Sequence, residues 1–444
     1  MRINLAALII FAILVGMVAP ASVAVAENIP TATPARTPTP ASHAQAALPE
    51  PIPMGRLTPN TSGLKSPSST PTATPAPSSP YLWALIGNDL SHLADVNAAG
   101  IKAKVFELTW RELVPSENNV NTDVVRQRKN EMAQIRQAGF QIILDLGFTD
   151  APSWVHTNYP NTYYVNQYGD RYDGQGQLNS GDVNLIFNSN LRVLVQSYLN
   201  TVFTNFGTDF AAVRLGGGHW GELTYPSHTY NGRTNAYWAF DANALTASPV
   251  PTWRPGQPSP NGAAATFLNW YLDSLASYQN WQISALRQTY SGKIMMLYPS
   301  WGVRPGHLTP AIAGNLAGAT SPEINGEIQR GSDFARQLTA ITDAKVVVTT
   351  TWLDASSSHN SSGNPADWSP VKYLAYLATT HPLRLSLYGE NAGNNSAATM
   401  RFAVSQVQQY GLMGMDWCRE SDIFSGQYAT LTDLQQSIAT VTSP

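Results

Sequence analysis

Short apolar runs recur along most of the chain and alternate with longer segments in which apolar residues follow a helical period. The short runs are rich in Val, Ile, Leu and aromatic residues, which favours strands buried on both faces. We predict eight such strands, at residues 81–87, 101–108, 140–147, 210–217, 293–300, 344–352, 383–390 and 411–418. The helical period is clearest at residues 124–139, 188–207 and 264–292. The first and last of these segments end in Gly139 and Gly292, as helices often do.

Strands that alternate with helices are typical of a parallel sheet with helical crossovers. Eight strands in one domain of this size predict a closed (β/α)8, or TIM, barrel. A doubly wound open sheet is the alternative interpretation. A polar, proline-rich loop at residues 247–262 follows the fourth strand and is expected to wall one side of the barrel's C-terminal face.

The N-terminal part of the chain has a different composition. Residues 1–26 combine a basic residue, an apolar run and the triplet AVA before a glutamate, which is the pattern of a secretory signal peptide. An uncleaved membrane anchor is the alternative, because the apolar run approaches the length that spans a bilayer. Residues 27–80 are dominated by Pro, Thr, Ser and Ala and predict a disordered linker, which leaves residues 81–444 for the barrel. We therefore expect a secreted or cell-surface protein.

Composition restricts the partners of the chain. The formal net charge is −3 and charged residues make up only 12%, without a basic tract, so we expect no nucleic-acid partner and no membrane partner beyond the anchor alternative. Cys418 is the single cysteine, which excludes an internal disulfide and a cysteine-based zinc site. A metal pair of His219 and His228 is an alternative that lacks the H-E-x-x-H spacing.

The 12 Trp and 19 Tyr residues suit a neutral ligand that stacks on rings, and carbohydrate is the first candidate. We expect a monomer without metal or cofactor.

A (β/α)8 barrel presents its reactive groups at the C-terminal ends of its strands. In this chain those positions are rich in carboxylates and tryptophans. Tryptophans after strands 2, 4, 5, 6 and 8 would form a ring of flat faces for sugars, and the alternative for each is that it closes the core. The predicted ligand-binding residues are Glu107, Trp110, Asp150, His219, Trp220, Tyr225, Trp301, Trp352, Asn391, Asp416 and Trp417.

A glycine-rich segment follows the fourth strand. GGGHWG at residues 216–221 matches the G-x-G-x-x-G fingerprint of dinucleotide sites, and Asp241 follows about twenty residues later. A phosphate-binding turn must open a helix, however, and Pro226 interrupts any helix that begins here. We therefore interpret the segment as a turn that presents Glu222, with glycines that let the chain pass close beneath a bound sugar.

Two glutamates stand across the predicted barrel from each other. Glu222 follows the fourth strand and Glu390 ends the seventh. Glycoside cleavage needs two carboxyl groups flanking the scissile bond, one protonated to assist the leaving oxygen and one ionised to attack or to activate water. We predict that Glu222 and Glu390 are this catalytic pair; the alternative for either is an ordinary solvated or salt-bridged glutamate.

The segments around both glutamates resemble a known family. GELTYPS (221–227) looks like the GELRYPS segment of β-amylases, GENAG (389–393) looks like their GENAL segment, and MDWCRESD (415–422) is similar to their eighth-strand segment. The resemblance implies an inverting hydrolase with Glu222 as general acid and Glu390 as general base. It also implies that Glu107 stands where the family has a substrate-binding aspartate.

The chain departs from that family at three places. Thr224 replaces an arginine, GFTDAPSW (147–154) is all that represents the glycine-rich lid, and the family's lysine after the fifth strand has no counterpart. Retaining β-galactosidase-like barrels also carry two glutamates after strands 4 and 7, with the later one as nucleophile, but they have Asn where Gly221 stands here. A barrel that binds carbohydrate without turnover is the third interpretation.

Overall fold

The computed structural model describes residues 80–173, 182–393 and 396–441. The predicted signal peptide (residues 1–26) and the predicted linker (residues 27–80), apart from its last residue, lie outside the described residues. Within the described ranges, no helix is both long enough and apolar enough to cross a membrane.

Eight parallel strands form a closed barrel in which each strand pairs with the next along the chain. They are β1 (Leu82–Ile86), β2 (Ala103–Glu107), β3 (Gln141–Asp145), β4 (Ala212–Leu215), β5 (Ile294–Tyr298), β6 (Val346–Thr350), β7 (Ser386–Glu390) and β8 (Gly414–Trp417). Leu82 pairs with Gly414 and Leu85 with Trp417, which joins β1 to β8. The predicted barrel is thus confirmed, and the open sheet is wrong because the two strands that would be its edges are paired.

Helices surround the barrel. Those in the described part of the chain are α1 (Leu93–Ala98), α2 (Trp110–Leu113), α3 (Thr122–Gln137), α4 (Ser153–Asn158), α5 (Arg192–Phe206), α6 (Ala242–Ala247), α7 (Ala263–Arg287), α8 (Leu308–Ala313), α9 (Pro322–Arg330), α10 (Phe334–Thr339), α11 (Pro370–Thr380), α12 (Ala397–Gln409), α13 (Glu420–Ser425) and α14 (Leu431–Ala439). Gly139 follows α3 with a φ of 89°, as the predicted cap requires. Gly292 is not a cap, because α7 already ends at Arg287.

Two apolar layers hold the barrel together. The small cluster inside it consists of Ala84, Ala103, Val105, Ile143, Ala212, Met295, Val347 and Tyr388. Alternate residues of the same strands belong to the main core between barrel and helices. Every residue of β5 and of β6 is buried, because each strand is covered on both faces.

The barrel interior changes from apolar to ionic toward the C-terminal ends of the strands. Successive side chains of a strand point to opposite faces, so a residue two positions after an inward-facing one also faces the barrel axis. This alternation turns five ionisable side chains into the upper interior: Glu107, Asp145, Arg214, Glu390 and Asp416. The strands themselves therefore build a charged site at this end of the barrel.

Candidate active site

Arg214 is the centre of the ionic layer. Its Nη2 donates to Glu390 Oε2 at 2.7 Å, and its Nη1 donates to Asp416 Oδ2 at 3.1 Å. Its Nε lies 3.1 Å from Asp145 Oδ2. Arg214 and Asp416 are buried, and Glu390 is only 9% exposed. One planar guanidinium thus holds carboxylates from β3, β7 and β8 in fixed orientations.

The charges of this cluster do not balance when all four groups are ionised, because one cation faces three anions. Burial raises the pKa of Asp416 well above its usual range, although Arg214 opposes the shift. Burial also raises the pKa of Glu390, again against Arg214. Arg214 therefore opposes the effect of burial at both carboxyls and favours their ionised forms.

Glu222 is presented by a compact turn after β4. The turn contains one short 3-10 segment, His219–Gly221, and Gly218 N donates to Glu222 O at 2.8 Å. Leu223 N then donates to Leu297 O at the end of β5 at 3.0 Å. The backbone on both sides of Glu222 is therefore held by hydrogen bonds, one within the turn and one to the neighbouring strand β5.

The glycines before Glu222 make room for the turn's own backbone. A Cβ atom on Gly216 would lie 2.1 Å from Gly221 O, and one on Gly218 would lie 2.2 Å from Thr224 O. The carbonyl of Gly216 accepts from Gln282 Nε2 at 3.0 Å, which anchors the turn to α7. These glycines therefore have a packing role within the turn, and the expectation that they lie beneath a bound sugar stays a prediction.

Gly216→Ala is expected to lower the free energy of unfolding by about 3 kcal/mol, because the new methyl group must displace backbone atoms that cannot move freely. Gly221→Ala is the matched control. Gly221 has a φ of 79°, but no atom lies within 4 Å of a Cβ there, so we expect a loss of about 1 kcal/mol from the left-handed conformation alone. Urea unfolding of both variants measures the difference, and equal losses would contradict the packing role.

The Glu222 carboxyl is half-buried and meets a neutral donor. Thr351 Oγ1, just after β6, donates to Glu222 Oε1 at 2.5 Å. Burial raises the pKa of Glu222 to about 7, and the negative charge of Glu390 adds to the shift while the Thr351 hydrogen bond opposes it. Glu222 is therefore partly protonated at neutral pH, as a general acid must be.

Glu107 lies at the mouth of the barrel, among other carboxylates. It pairs in register with Asp145 on β3, and Asp150, which follows β3, forms an ion pair with Arg111. Partial burial, together with repulsion from Asp145 and Asp150, raises the pKa of Glu107 to about 7. No described residue forms an ion pair with Glu107, so its carboxyl can exchange hydrogen bonds with a ligand hydroxyl.

Three of the predicted aromatic residues lie in the core. Trp110 and Trp417 are buried, and Tyr225 stacks on Tyr271 with ring centroids 4.0 Å apart. Trp110 stacks on Tyr198 at 6.0 Å. Trp417 follows the inward-facing Asp416, so strand alternation turns it outward toward the helices. Protein atoms cover these rings, and the expected ring of five tryptophans does not form.

The other predicted tryptophans keep exposed surface at the strand ends. Trp301 and Trp352, after β5 and β6, are half-buried. Trp220 is 61% exposed and stacks on His219. Three of the five predicted tryptophans therefore keep surface that a ligand could cover.

His219 and Asn391 are buried and hydrogen-bonded to the protein. His219 Nδ1 donates to Asp182 Oδ2 at 2.8 Å. Asn391 Nδ2 donates to Cys418 O at 2.8 Å, and its Oδ1 accepts from Cys418 N at 2.7 Å. Asn391 therefore ties the segment after β7, next to Glu390, to the end of β8, and direct contact with a ligand stays a prediction.

The two histidines of the alternative metal pair have different surroundings. His219 bonds to Asp182, whereas His228 packs against Gly326 of α9. Across residues 80–173, 182–393 and 396–441, no group of three or more His, Cys, Asp or Glu side chains is arranged to hold a metal ion.

Sequence reasoning missed Arg214 and Thr351, and it did not select Asp145. The sequence pattern that identifies these residues is the alternation of inward- and outward-facing positions along a strand. Arg214 stands two residues after the inward-facing Ala212, in an otherwise apolar strand, and Thr351 has the parity of the inward-facing Val347. A charged residue at an inward position of a barrel strand needs buried partners, which marks Arg214 without any structure.

No protein-family profile and no curated protein sequence matches the chain. Among solved structures, the catalytic domain of a β-amylase from Paenibacillus polymyxa is similar over 83% of this chain and 100% of its own, with a TM-score of 0.61 and 15% identity. A β-galactosidase from the psychrophilic Marinomonas ef1 is similar over 80% of this chain and 59% of its own, with a TM-score of 0.51 and 10% identity. The chain therefore has the (β/α)8-barrel fold of these two glycoside hydrolases.

Proposed function

We propose that this protein is a secreted glycoside hydrolase that cleaves neutral oligo- or polysaccharides, with Glu222 as general acid and Glu390 as general base. The observation that carries the proposal is the contrast between the two carboxyl groups. Glu222 meets a neutral hydroxyl and has a pKa raised to about 7, whereas Glu390 meets the guanidinium of Arg214. Two carboxyls in one barrel mouth with such different partners suit an acid and a base.

In the proposed inverting reaction, Glu222 gives its proton to the glycosidic oxygen as the bond from that oxygen to the anomeric carbon breaks. Glu390 takes a proton from a water molecule, whose oxygen bonds to the anomeric carbon from the opposite face. Glu222 ends as a carboxylate and Glu390 as an acid, and exchange with solvent restores both. Arg214 holds Glu390 Oε2 and thereby leaves Oε1 for the water.

The proposed substrate rests on side chains at the strand ends and on the two sequence motifs. The exposed carboxyl of Glu107 and the rings of Trp301 and Trp352 suit the hydroxyls and the C–H faces of a neutral sugar. The GELTYPS and GENAG segments resemble those of β-amylases and therefore favour an α-glucan as substrate. The similar fold of a β-amylase supports the same choice. The β-galactosidase of similar fold makes a β-galactoside the second candidate, with Glu390 as nucleophile of a retaining reaction.

The secreted location is part of the proposal and rests on the signal-peptide pattern of residues 1–26. N-terminal sequencing of the protein recovered from culture medium tests it. A new N-terminus near residue 27 is expected, and a full-length protein that sediments with membranes would instead support the anchor.

Digestion of a glycan panel tests the reaction and the substrate together. Malto-, cello- and β-galacto-oligosaccharides are incubated with the protein, and proton NMR identifies the anomer that forms first. Inversion supports Glu390 as base, and retention would make it the nucleophile. A Glu222→Gln/Glu390→Gln double variant purified in the same way controls for contaminating enzymes. Binding of an oligosaccharide without any product would instead support a carbohydrate-binding barrel without turnover.

Thr351→Val is expected to move the basic limb of the kcat/KM profile, which lies near pH 7 in the wild type, to higher pH. The rate falls along this limb because Glu222 loses its proton as pH rises. The Thr351 hydroxyl favours the ionised form of Glu222, so its removal raises the pKa further. Thr350→Val is the matched control, since the Thr350 hydroxyl accepts from Trp352 N instead. A limb that moves to lower pH would contradict the assignment of Glu222.

A further inference from the structure

Trp220 has an unusual conformation for a large side chain. Its φ is 58°, in the left-handed region that bulky residues rarely adopt, and 61% of its surface is exposed. Both features cost free energy in an isolated molecule, because the backbone is strained and an indole faces water. Such strain persists where surrounding structure enforces it, and it concentrates at ligand sites.

Buried groups support the indole from beneath. His219 stacks on Trp220 with ring centroids 4.6 Å apart and planes 27° apart. The imidazole is itself held by Asp182, 2.8 Å from Nδ1, and by Tyr172, whose ring is nearly perpendicular to it with the two centroids 5.4 Å apart. His219, Asp182 and Tyr172 are all buried. The indole therefore lies on a fixed base and loses little freedom when a ligand covers its other face.

The depth of the two glutamates gives the direction of a bound substrate. Glu390 is nearly buried in the ionic layer, whereas Glu222 is half-buried at the end of the turn that carries Trp220. The sugar that water attacks must reach Glu390, so it lies inside the barrel. The leaving group is protonated by Glu222 and lies on the solvent side, at the rim where Trp220 is exposed.

We infer that Trp220 is a stacking platform for the sugar unit on the leaving-group side of the scissile bond, and that His219 and Asp182 are positioning residues for it. The inference rests on the proposed function and deepens it. It means that the preferred substrates carry at least one further sugar unit beyond the cleaved bond, as oligo- and polysaccharides do.

Two substrates with the same sugar inside the barrel test the platform. One is the oligosaccharide that the wild type cleaves best in the panel, and the other is the corresponding glycosyl fluoride, which has no ring on the leaving-group side. Trp220→Ala is expected to lower kcat/KM about tenfold for the oligosaccharide, which corresponds to roughly 1.4 kcal/mol, and clearly less for the fluoride. Equal losses on the two substrates, or no loss on the oligosaccharide, would overturn the inference.

Conservative and remote variants separate stacking from a structural effect. Trp220→Phe keeps a flat ring and is expected to restore most of the oligosaccharide activity. Asp182→Asn weakens the support of His219, so it is expected to lower the oligosaccharide-to-fluoride ratio in the same direction as Trp220→Ala, but less. Tyr376→Ala removes another exposed ring, on the outer helix α11, and should leave both activities unchanged.

Binding measurements distinguish failure of this inference from failure of the proposed function. If the wild type cleaves no oligosaccharide of the panel and no glycosyl fluoride, the hydrolase proposal fails, and calorimetric titration with the panel oligosaccharides then tests the platform alone. Weaker binding by Trp220→Ala than by the wild type would support the platform without turnover. Equal binding by the two proteins would overturn it.

Discussion

Glu222→Gln is expected to lower kcat for an oligosaccharide by about 100- to 10,000-fold, because an amide cannot supply the proton that the leaving oxygen needs. An aryl glycoside with a nitro-substituted leaving group needs that proton much less, so its loss should be far smaller. The basic limb of the pH profile near pH 7 should also disappear, since Glu222 is the group that produces it. Steady-state kinetics on the two substrates between pH 4 and pH 9 measure all three effects.

Glu390→Gln is the matched comparison for Glu222→Gln. A base activates the water that attacks the anomeric carbon, and a nucleophile attacks that carbon itself. Neither gives a proton to the leaving group, so both substrates should lose activity alike. Circular dichroism and thermal unfolding of both variants check that each remains folded. Equal sensitivity of the two variants to the leaving group would remove the distinction between acid and base on which the proposed function depends.

Arg214→Met is expected to lower the free energy of unfolding at neutral pH by about 3–5 kcal/mol, because it leaves the buried carboxyls of Glu390 and Asp416 and the half-buried carboxyl of Asp145 without their cation. The pKa of Glu390 and of Asp416 is already raised by burial, and without Arg214 it rises further above the value in the unfolded chain. The folded protein then binds more protons than the unfolded chain, so its stability falls as pH rises. The deficit should be largest at neutral and alkaline pH and should shrink toward the range where free carboxyls protonate.

Unfolding by guanidinium chloride at several pH values measures this loss of stability, and three further variants show what causes it. Arg336→Met removes a partly exposed arginine that pairs with the solvent-exposed Asp273 and with Asp333 one turn away, so a loss of about 1 kcal/mol or less is expected. Arg214→Lys keeps the charge but loses the fork that reaches three carboxylates, so partial recovery is expected. Arg214→Met/Asp416→Asn removes one of the unpaired acids, and it tests the same cluster if the single variant does not fold. A pH-independent deficit would show that packing, not charge, is lost.

Arg214 also shows why the candidate site was only partly predictable. The sequence predicts both glutamates because Glu390 ends a strand and Glu222 follows one, and the position of a strand end can be read from the local pattern. Arg214 lies within a strand, where a search of strand ends does not find it, although its parity with Ala212 places it inside the barrel. Trp110 and Trp417 are predicted to face a ligand because they stand near strand ends, yet protein atoms cover them. Residue type and strand end do not by themselves reveal which face a side chain occupies.

The amino-acid sequence by itself determined the number and order of the strands, the closure that eight of them allow, and the positions of Glu222 after the fourth strand and of Glu390 at the end of the seventh. These features depend on local hydrophobic period and on short segments, which every part of the chain carries with it. The tertiary structure alone decided that Arg214 joins β3, β7 and β8, that Thr351 meets Glu222, and that Trp220 rests on His219. It also decided the direction in which each carboxyl pKa is shifted, because a pKa depends on burial and on charges brought close from distant parts of the chain.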